Sequence, residues 1–451
     1  MDKHYEYKRI FMFWADALYV LIQAAVFGWM WYNFFSKMML FEYWRRGNYV
    51  IIGFYALFCL LFTSVFGGLK VGYRRNIDVL YAQLFAALCT NGAVYLELSL
   101  IGNWKFGTNL WYMFQLFLFD VVLSFFWTLI VRWFYARLYP PHQMLFIHGD
   151  VDPSHLVEKI NSRRDRYRIK EMVHLSKGIE NIAKMVDSYD TVLIGDIPSK
   201  ERNYFLKYCY WHNIRCYSVP KISDIMIQSG FRIDLFDTIL MLQRNNGLTL
   251  FQRFMKRLMD IVISLIGLIL ASPFMLIIYI AIKIDDGGPV IYTQERLTKG
   301  GVPFKIYKFR SMITDSEKYG ARLAAENDDR ITRVGRVIRR LHFDELPQLY
   351  NILIGDMSFV GPRPERQDIF DKYEESIPEF KFRLKMKAGL TGYAQVYGQY
   401  NTKPYDKLKL DLTYIEQYTL WLDIKLIFLT VKILFQKEKS EGVDDSKTNA
   451  L

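Results

Sequence analysis

Four long apolar segments open the sequence and limit what it can fold into more than any other feature. They cover residues 10–35, 49–68, 79–101 and 110–131. Each is long enough to cross the hydrocarbon core of a bilayer as a helix, which takes about 20 apolar residues. The composition agrees, because 52% hydrophobic and 17% aromatic residues are too many for a wholly soluble chain. The sequence therefore predicts a membrane protein whose residues 1–139 form a four-helix transmembrane unit.

Basic residues around these segments predict their orientation. If the N-terminus lies inside, the cytoplasmic flanks hold Lys3, Lys8, Arg9, Lys70, Arg74, Arg75, Arg132 and Arg137, and the outer flanks hold Lys37, Arg45, Arg46 and Lys105. Cytoplasmic flanks carry an excess of lysine and arginine, so both ends of the unit are expected inside. The first segment is expected to stay as an anchor, because it lacks a small-residue cleavage site.

Three acidic residues, Asp16, Glu97 and Asp120, lie within the apolar segments. An acid inside a bilayer is often functional, since burying it without a partner is unfavourable. No lysine or arginine at matching depth suggests a proton relay. Pairing or exposure at the membrane surface is therefore the favoured interpretation over transport.

Charge and cysteine content narrow the partners. The net charge of +12 suits nucleic acid, anionic lipid or phosphorylated substrates, and the apolar segments favour the last two. No nucleic acid is expected as a partner. Four scattered cysteines, Cys59, Cys89, Cys209 and Cys216, predict free thiols in a reducing compartment.

A change of composition after Pro140 and Pro141 predicts a separate middle domain at residues 142–245. Strand-like runs alternate with helical ones, which is typical of a small parallel α/β domain of Rossmann-like type. The strands are expected at 144–148, 191–194 and 214–219, and the helices at 153–164 and 199–212. The turn after His148 lacks the three-glycine dinucleotide fingerprint, so a scaffold or dimerisation role is favoured and a homodimer is one expected partnership.

A fifth apolar run, residues 258–284, is interrupted midway by Ser272 and Pro273. Proline removes a backbone hydrogen bond and kinks a helix, and a preceding serine can satisfy the freed carbonyl. Basic residues flank both ends, which favours one cytoplasmic side for both. We therefore expect a re-entrant membrane helix with a kink over residues 251–286; a true span with a proline kink is the alternative.

The pair Asp344 and Glu345 is the strongest chemical signal in the sequence. Cationic side chains surround it in the chain: Lys308, Arg310, Arg336, Arg339, Arg340 and Arg363. Arginine forks bind anionic oxygens, and adjacent carboxylates can serve as nucleophile and metal ligand, so the combination suggests phosphoryl transfer. The alternative is an ordinary capped helix start, with Pro347 in its first turn. Arg333, Arg336 and Arg340 are expected on one helical side, facing lipid phosphates, substrate or water.

Sequence blocks across the C-terminal part resemble the bacterial sugar transferases, the monotopic polyprenyl-phosphate glycosyl-1-phosphate transferases. The matching blocks are KRLMD at 256–260, SP at 272–273, GPVIYTQ at 288–294, IYKFRSM at 306–312, DRITRVG at 329–335, DELPQ at 344–348, GDMSFVGPRPE at 355–365 and GLTGYAQ at 389–395. Two departures are visible. His342 and Phe343 stand where small hydroxyl residues usually precede the acidic pair, and Ala388 replaces a usual proline.

This resemblance implies a cytoplasmic mixed α/β catalytic domain at 287–438, followed by a disordered tail at 439–451. Asp344 would be the nucleophile and Glu345 the Mg²⁺ ligand, and Arg339 and Arg363 would hold phosphate oxygens. Apart from the resemblance, the alternation of residues 306–310 puts Lys308 and Arg310 on one strand face, where they could bind a diphosphate. The implied reaction moves a sugar-1-phosphate, usually galactose or glucose phosphate, from a UDP-sugar to undecaprenyl phosphate through a phospho-Asp intermediate. It releases UMP and starts exopolysaccharide, capsule or O-antigen synthesis at the bacterial inner membrane.

Two other functions remain open on the sequence. A membrane-tethered scaffold or regulator of polysaccharide synthesis would use the middle domain and need no acidic pair. A conventional glycosyltransferase would move only the sugar and release a nucleoside diphosphate. The apolar residues 420–435 are open in the same way, as either an interfacial helix or a core helix.

Overall fold

The computed structural model describes residues 7–39, 45–102, 110–243, 247–313, 330–398 and 402–434, with backbone only for residues 45, 286 and 432–434. The predicted tail at 439–451 lies outside these residues. The chain divides into two compact units, 1–220 and 221–451.

Long apolar helices form the first part of unit 1. They are α1 (Lys8–Met30), α2 (Arg45–Phe66), α3 (Asn76–Ile101) and α4 (Leu110–Leu138). Tyr19, Phe27, Trp31 and Tyr55 are almost fully buried in their shared core, whereas large apolar side chains such as Trp111 stay exposed. Counting the helix at Leu250–Asp285, five helices in the described residues are long and apolar enough to cross a membrane.

Among the acidic residues of these helices, Asp120 is fully buried and paired. Its carboxylate accepts hydrogen bonds from Asn91 Nδ2 at 2.7 Å and from the Tyr55 hydroxyl at 3.2 Å. These contacts agree with the pairing interpretation, because hydrogen-bond partners offset the loss of hydration that burial imposes on a polar group.

A four-stranded parallel sheet completes unit 1. Its strands are β1 (His142–His148), β2 (Tyr167–His174), β3 (Thr191–Ile194) and β4 (Arg215–Ser218), in the order β2-β1-β3-β4. The helices between and beside them are α5 (Ser154–Asn161), α6 (Ile179–Val186) and α7 (Ser199–Trp211). The parallel α/β prediction is confirmed. β2 and α6 were not predicted. In β2, half-buried and exposed residues alternate instead of forming an apolar run.

Two histidines of the sheet lie side by side because their strands are neighbours. His148 and His174 are partners in the register of β1 and β2, with ring centroids 5.3 Å apart. Asp150 lies 3.3 Å from His174 Nε2. Nevertheless, no group of three or more potential metal ligands lies together in the described part of the chain.

Unit 2 begins with residues that the sequence placed in the middle domain. Helix α8 (Ile222–Gln228) is followed by a hairpin of β5 (Phe231–Leu235) and β6 (Thr238–Leu242). The Ser229 hydroxyl donates to Glu416 at 2.8 Å, which ties this stretch to the C-terminal helices. The sheet of the middle domain therefore ends near residue 218, and residues 221–242 belong to the second unit.

The fifth apolar run is one continuous helix, α9 (Leu250–Asp286), with Pro273 inside it. Thr249 and Gln252 form a capping box at its start, and Gly287 ends it at a φ of 69°. The Ser272 hydroxyl donates to the carbonyl of Ile269 at 2.8 Å. That carbonyl is the one that the missing N–H of Pro273 would have bonded, so the predicted role of the serine is confirmed.

Short elements build the remainder of unit 2. In chain order they are β7 (Ile291–Leu297), β8 (Pro303–Phe309), α10 (Arg333–Arg340), α11 (Gln348–Ile354), β9 (Ser358–Val360), α12 (Gln367–Ser376), β10 (Gly389–Thr391), α13 (Tyr393–Tyr397), α14 (Pro404–Glu416) and α15 (Leu420–Leu434). Strands β7 and β8 are antiparallel, and β9 and β10 are parallel. Asp423 and Leu426 of α15 are fully buried, which favours the core alternative for that helix.

The first turns of α9 attach it to this core. Lys256 is 6% exposed, and its ammonium lies 2.7 Å from Asp423 and donates to the Val360 carbonyl at 2.9 Å. Asp260 accepts from the Phe359 N–H at 2.8 Å. The Lys-Arg-x-x-Asp block thus fixes α9 and β9 relative to each other.

Candidate active site

The acidic pair lies in a single 3₁₀ turn, Phe343–Glu345, which Leu346 and Pro347 separate from α11. The sequence predicted that the pair lies where a helix starts to wind at Leu346; α11 starts two residues later, at Gln348. His342 precedes the turn with a φ of 56°, in the left-handed region that side chains other than glycine seldom adopt. This conformation reverses the chain between α10 and the 3₁₀ turn.

Glu345 is held by two cations. Lys308 Nζ lies 2.9 Å and Arg363 Nη2 3.0 Å from the same oxygen, Oε1. Burial disfavours the charged carboxylate, but the nearby charges of Lys308 and Arg363 outweigh that effect and hold the pKa of Glu345 well below its ordinary value. In turn, the Glu345 charge raises the pKa of Arg363. Glu345 is therefore a fixed anion.

Asp344 has a different environment. Within the described residues, its carboxylate makes no hydrogen bond or ion pair. Burial and the adjacent Glu345 charge raise its pKa, and the opposing charges of Lys308 and Arg339 are too weak to reverse the shift. The two neighbouring carboxyl groups therefore differ: Glu345 is paired with two cations, and Asp344 has a raised pKa and no ion pair within the described residues.

The predicted substrate-binding cations separate into two groups. Lys308, Arg339 and Arg363 lie where their charge acts on the acidic pair. Arg336 and Arg340 are exposed, as is Arg333, which confirms the predicted stripe on one side of α10. Ile338, in the same helix, is buried.

Arg310 occupies another place. It follows the end of β8, is 6% exposed and packs against Gly288, where a Cβ atom would collide with the guanidinium. Its backbone N–H donates to the Val290 carbonyl at 2.9 Å. Lys308 therefore faces the acidic pair, while Arg310 stabilises the end of the strand.

The donor set suits a magnesium ion. Mg²⁺ in phosphoryl-transfer sites uses one or two protein carboxylates and completes its shell with water and substrate phosphates. Asp344 and Glu345 are adjacent, Asp344 has no ion-pair partner among the described residues, and both cationic contacts to Glu345 fall on Oε1. Two adjacent carboxylates fit that requirement.

Sequence comparisons identify relatives of the region that contains these residues. Residues 251–437 match the family described as bacterial sugar transferase. The chain is 44% identical over 184 residues to an Aeromonas hydrophila protein named UDP-N-acetylgalactosamine-undecaprenyl-phosphate N-acetylgalactosaminephosphotransferase, covering 40% of this chain and 44% of that one. It is 37% identical over 259 residues to an undecaprenyl-phosphate galactose phosphotransferase of Salmonella typhimurium, covering 53% of each.

A shorter relative is covered more completely. A candidate undecaprenyl-phosphate N-acetylgalactosaminyl 1-phosphate transferase of Bacillus subtilis is 54% identical over 129 residues, which are 29% of this chain and 72% of that protein. The chain spans about half the length of the two longer relatives. The residues that match the family, 251–437, include the acidic pair.

Proposed function

Because the chain belongs to the bacterial sugar transferase family, we propose that it transfers a sugar-1-phosphate from a UDP-sugar to undecaprenyl phosphate, releasing UMP and starting exopolysaccharide, capsule or O-antigen synthesis. The relatives named above act on undecaprenyl phosphate with sugar phosphates. The observation that carries the proposal is the asymmetric acidic pair, in which Glu345 is held by Lys308 and Arg363 while Asp344 makes no ion pair with any residue that the structure describes.

In the first step, the Asp344 carboxylate attacks the sugar-linked phosphorus of the donor. A carboxylate–phosphorus bond forms, the phosphoanhydride bond breaks and UMP leaves with the bond's electron pair. In the second step, an oxygen of undecaprenyl phosphate attacks the same phosphorus and frees Asp344. A covalent intermediate lets a soluble donor and a membrane-embedded acceptor use one site in turn.

Cations are needed because a carboxylate nucleophile and two anionic substrates repel one another. Arg339 and Arg363 are placed to bind phosphate oxygens by charge-assisted hydrogen bonds, and Lys308 adds a third charge. Glu345, with the donor diphosphate, would hold Mg²⁺. That ion would neutralise charge developing on the leaving phosphate.

We further propose that α1 to α4 cross the inner membrane and that α9 enters and leaves it on the cytoplasmic side. The support is the packing of α9 on both sides of Pro273. Before the proline, Asp260 bonds to β9; after it, Ile278 and Ile282 are buried against Phe309. A helix that crossed a bilayer would not keep one soluble domain against both halves. This arrangement places the acidic pair in the cytoplasm, where sugar nucleotides are made.

The hairpin of β5 and β6 supports the proposed homodimer. All ten strand residues are exposed, and Ile233, Leu235, Ile239, Leu240, Met241 and Leu242 are among its large apolar side chains. An isolated hairpin is marginally stable in water, and exposed apolar patches of this kind mark interaction surfaces. Asp234 and Asp237 disfavour insertion into an anionic membrane. A second copy of the chain is the occupant that we propose.

The test is an assay of purified protein with Mg²⁺, undecaprenyl phosphate and a panel of UDP-glucose, UDP-galactose and UDP-N-acetylgalactosamine. Release of UMP with one of these donors supports phosphoglycosyl transfer. Release of UDP would identify a conventional glycosyltransferase, and absence of either product with all donors would favour a scaffold.

A further inference from the structure

The turn that carries Arg363 is held in place through its carbonyl oxygens. It follows β9 and reads Gly-Pro-Arg-Pro-Glu from Gly361. Two of these residues are prolines, which have no N–H to donate, so the turn cannot be fixed by a regular hydrogen-bond ladder. Other segments of the fold supply the missing bonds.

Four successive carbonyls of the turn each accept a hydrogen bond from a different donor. The Pro362 carbonyl accepts from the Gly389 N–H at 2.9 Å, and the Glu365 carbonyl accepts from the Leu297 N–H at 3.0 Å. The other two are bound by the side chains of buried Arg383 and half-buried Arg296. Arg383 Nη2 donates to the Arg363 carbonyl at 3.0 Å, and Arg296 Nη1 donates to the Pro364 carbonyl at 3.3 Å.

Arg383 is the donor that reaches the carbonyl of Arg363 itself. Its side chain is 2% exposed, and its Nη2 lies 2.8 Å from Asp411 Oδ2, which is also almost fully buried. Its Nη1 lies 3.3 Å from Glu365 Oε1. Lys407 forms a second ion pair with the same Glu365 oxygen. Arg383 is therefore fixed by two carboxylates from different parts of the chain.

A buried ion cluster of this kind contributes little net stability, because the charges lose their hydration on burial. The planar guanidinium of Arg383, however, fixes the relative positions of its partners, since it contacts Asp411, Glu365 and the backbone of Arg363 at once. The guanidinium of the same Arg363 lies 3.0 Å from Glu345.

We infer that Arg383 is a positioning residue that acts through Arg363: by holding the Arg363 carbonyl, it keeps the Arg363 guanidinium at the acidic pair. The expected effect on catalysis rests on the proposed function. The expected effect on the position of Arg363 does not, so the two effects can be tested separately.

The first test is the structure of full-length Arg383→Lys protein in nanodiscs. Lysine keeps the charge that Asp411 and Glu365 require, but its single ammonium cannot reproduce the fork to both carboxylates and the carbonyl. We expect the Arg363 guanidinium to leave Glu345. An unchanged contact between Arg363 and Glu345 would overturn the inference, whether or not the protein is active.

The second test is a double-mutant cycle on UMP release with a donor that the wild type accepts. We expect Arg363→Gln to lower kcat by about 10²-fold, in the range seen on loss of one transition-state donor. Arg383→Lys should lower kcat with little change in donor KM. The double variant should be no slower than Arg363→Gln alone, because Arg383 then has nothing left to position.

A merely structural role predicts a different result. The two losses of rate would multiply, and KM and thermal stability would change together. Lys381→Gln is the matched control, because Lys381 lies in the same 3₁₀ helix as Arg383, Pro378–Lys385, but forms an exposed pair with Glu374. It should leave kcat unchanged. An inactive wild type would contradict the proposed function, and the structure of Arg383→Lys would still decide the positioning role.

Discussion

Lys308 Nζ lies 2.9 Å from Glu345 Oε1, although 37 residues separate the two in the chain. The contact joins a strand of the β7–β8 hairpin to the 3₁₀ turn that carries the acidic pair. It also explains how the two adjacent carboxyl groups differ: Lys308 forms an ion pair with Glu345 and not with Asp344.

Removing the Glu345 charge should impair catalysis more than folding. In Glu345→Gln, Lys308 and Arg363 lose their anchor and the proposed Mg²⁺ ligand is neutral. We expect kcat to fall on the order of 10²-fold and the Mg²⁺ concentration for half-maximal rate to rise. Steady-state UMP release against Mg²⁺ concentration measures both. An unchanged Mg²⁺ dependence would remove Glu345 from the metal site.

Both ends of α9 should be accessible only from the cytoplasm. Single cysteines replace exposed Arg253 and Lys283 in a background that lacks the four native cysteines. An impermeant thiol reagent added to intact cells should label neither position, and permeabilisation should expose both. Labelling of position 283 alone in intact cells would show that α9 crosses the membrane.

Removing one partner of the buried pair of Lys256 and Asp423 should destabilise the protein. Lys256→Met leaves the Asp423 carboxylate buried without its cation, a change that typically costs about 3–5 kcal/mol. We expect a clear drop in melting temperature in detergent, with partial recovery in Lys256→Met/Asp423→Leu. Arg366→Gln, which disturbs a more exposed pair with Asp368, is the control and should melt near the wild type. Equal melting of Lys256→Met and the control would mean that the pair contributes little.

The hairpin of β5 and β6 should determine whether the protein is a dimer or a monomer. Ile233→Asp/Leu240→Asp places charge on cross-strand partners of the exposed apolar face. We expect wild-type protein in detergent to have the mass of a dimer and the variant that of a monomer, by light scattering corrected for detergent. Val151→Asp, at an exposed loop position, is the control. A dimeric variant, or a monomeric wild type, would contradict the hairpin assignment.

Local sequence signals predicted the elements that local chemistry controls. The apolar runs, the Ser272–Pro273 break and the block from Asp344 to Gln348 are each contained within a short stretch. The strand β2 escaped prediction because its half-exposed residues alternate instead of forming an apolar run, although that alternation is itself a strand signal.

Long-range contacts set the parts of the site that the sequence did not predict. Nothing in Lys-Phe-Arg-Leu-Lys singles out Arg383, whose role depends on Asp411 and on the Arg363 carbonyl. By contrast, the family resemblance implied a phosphate-binding role for Arg339 and Arg363, and in the packed fold the Arg339 charge acts on Asp344.

The central claim is that Asp344 carries the sugar phosphate, and the most direct measurement is the intact-protein mass after mixing with Mg²⁺ and donor alone. Without lipid acceptor, wild-type protein should gain the mass of one sugar phosphate and release about one equivalent of UMP per active site, the burst expected of a covalent intermediate. Hydroxylamine should remove the adduct, and Asp344→Asn should form none while folding normally. No adduct, together with UMP release only after undecaprenyl phosphate is added, would contradict the account.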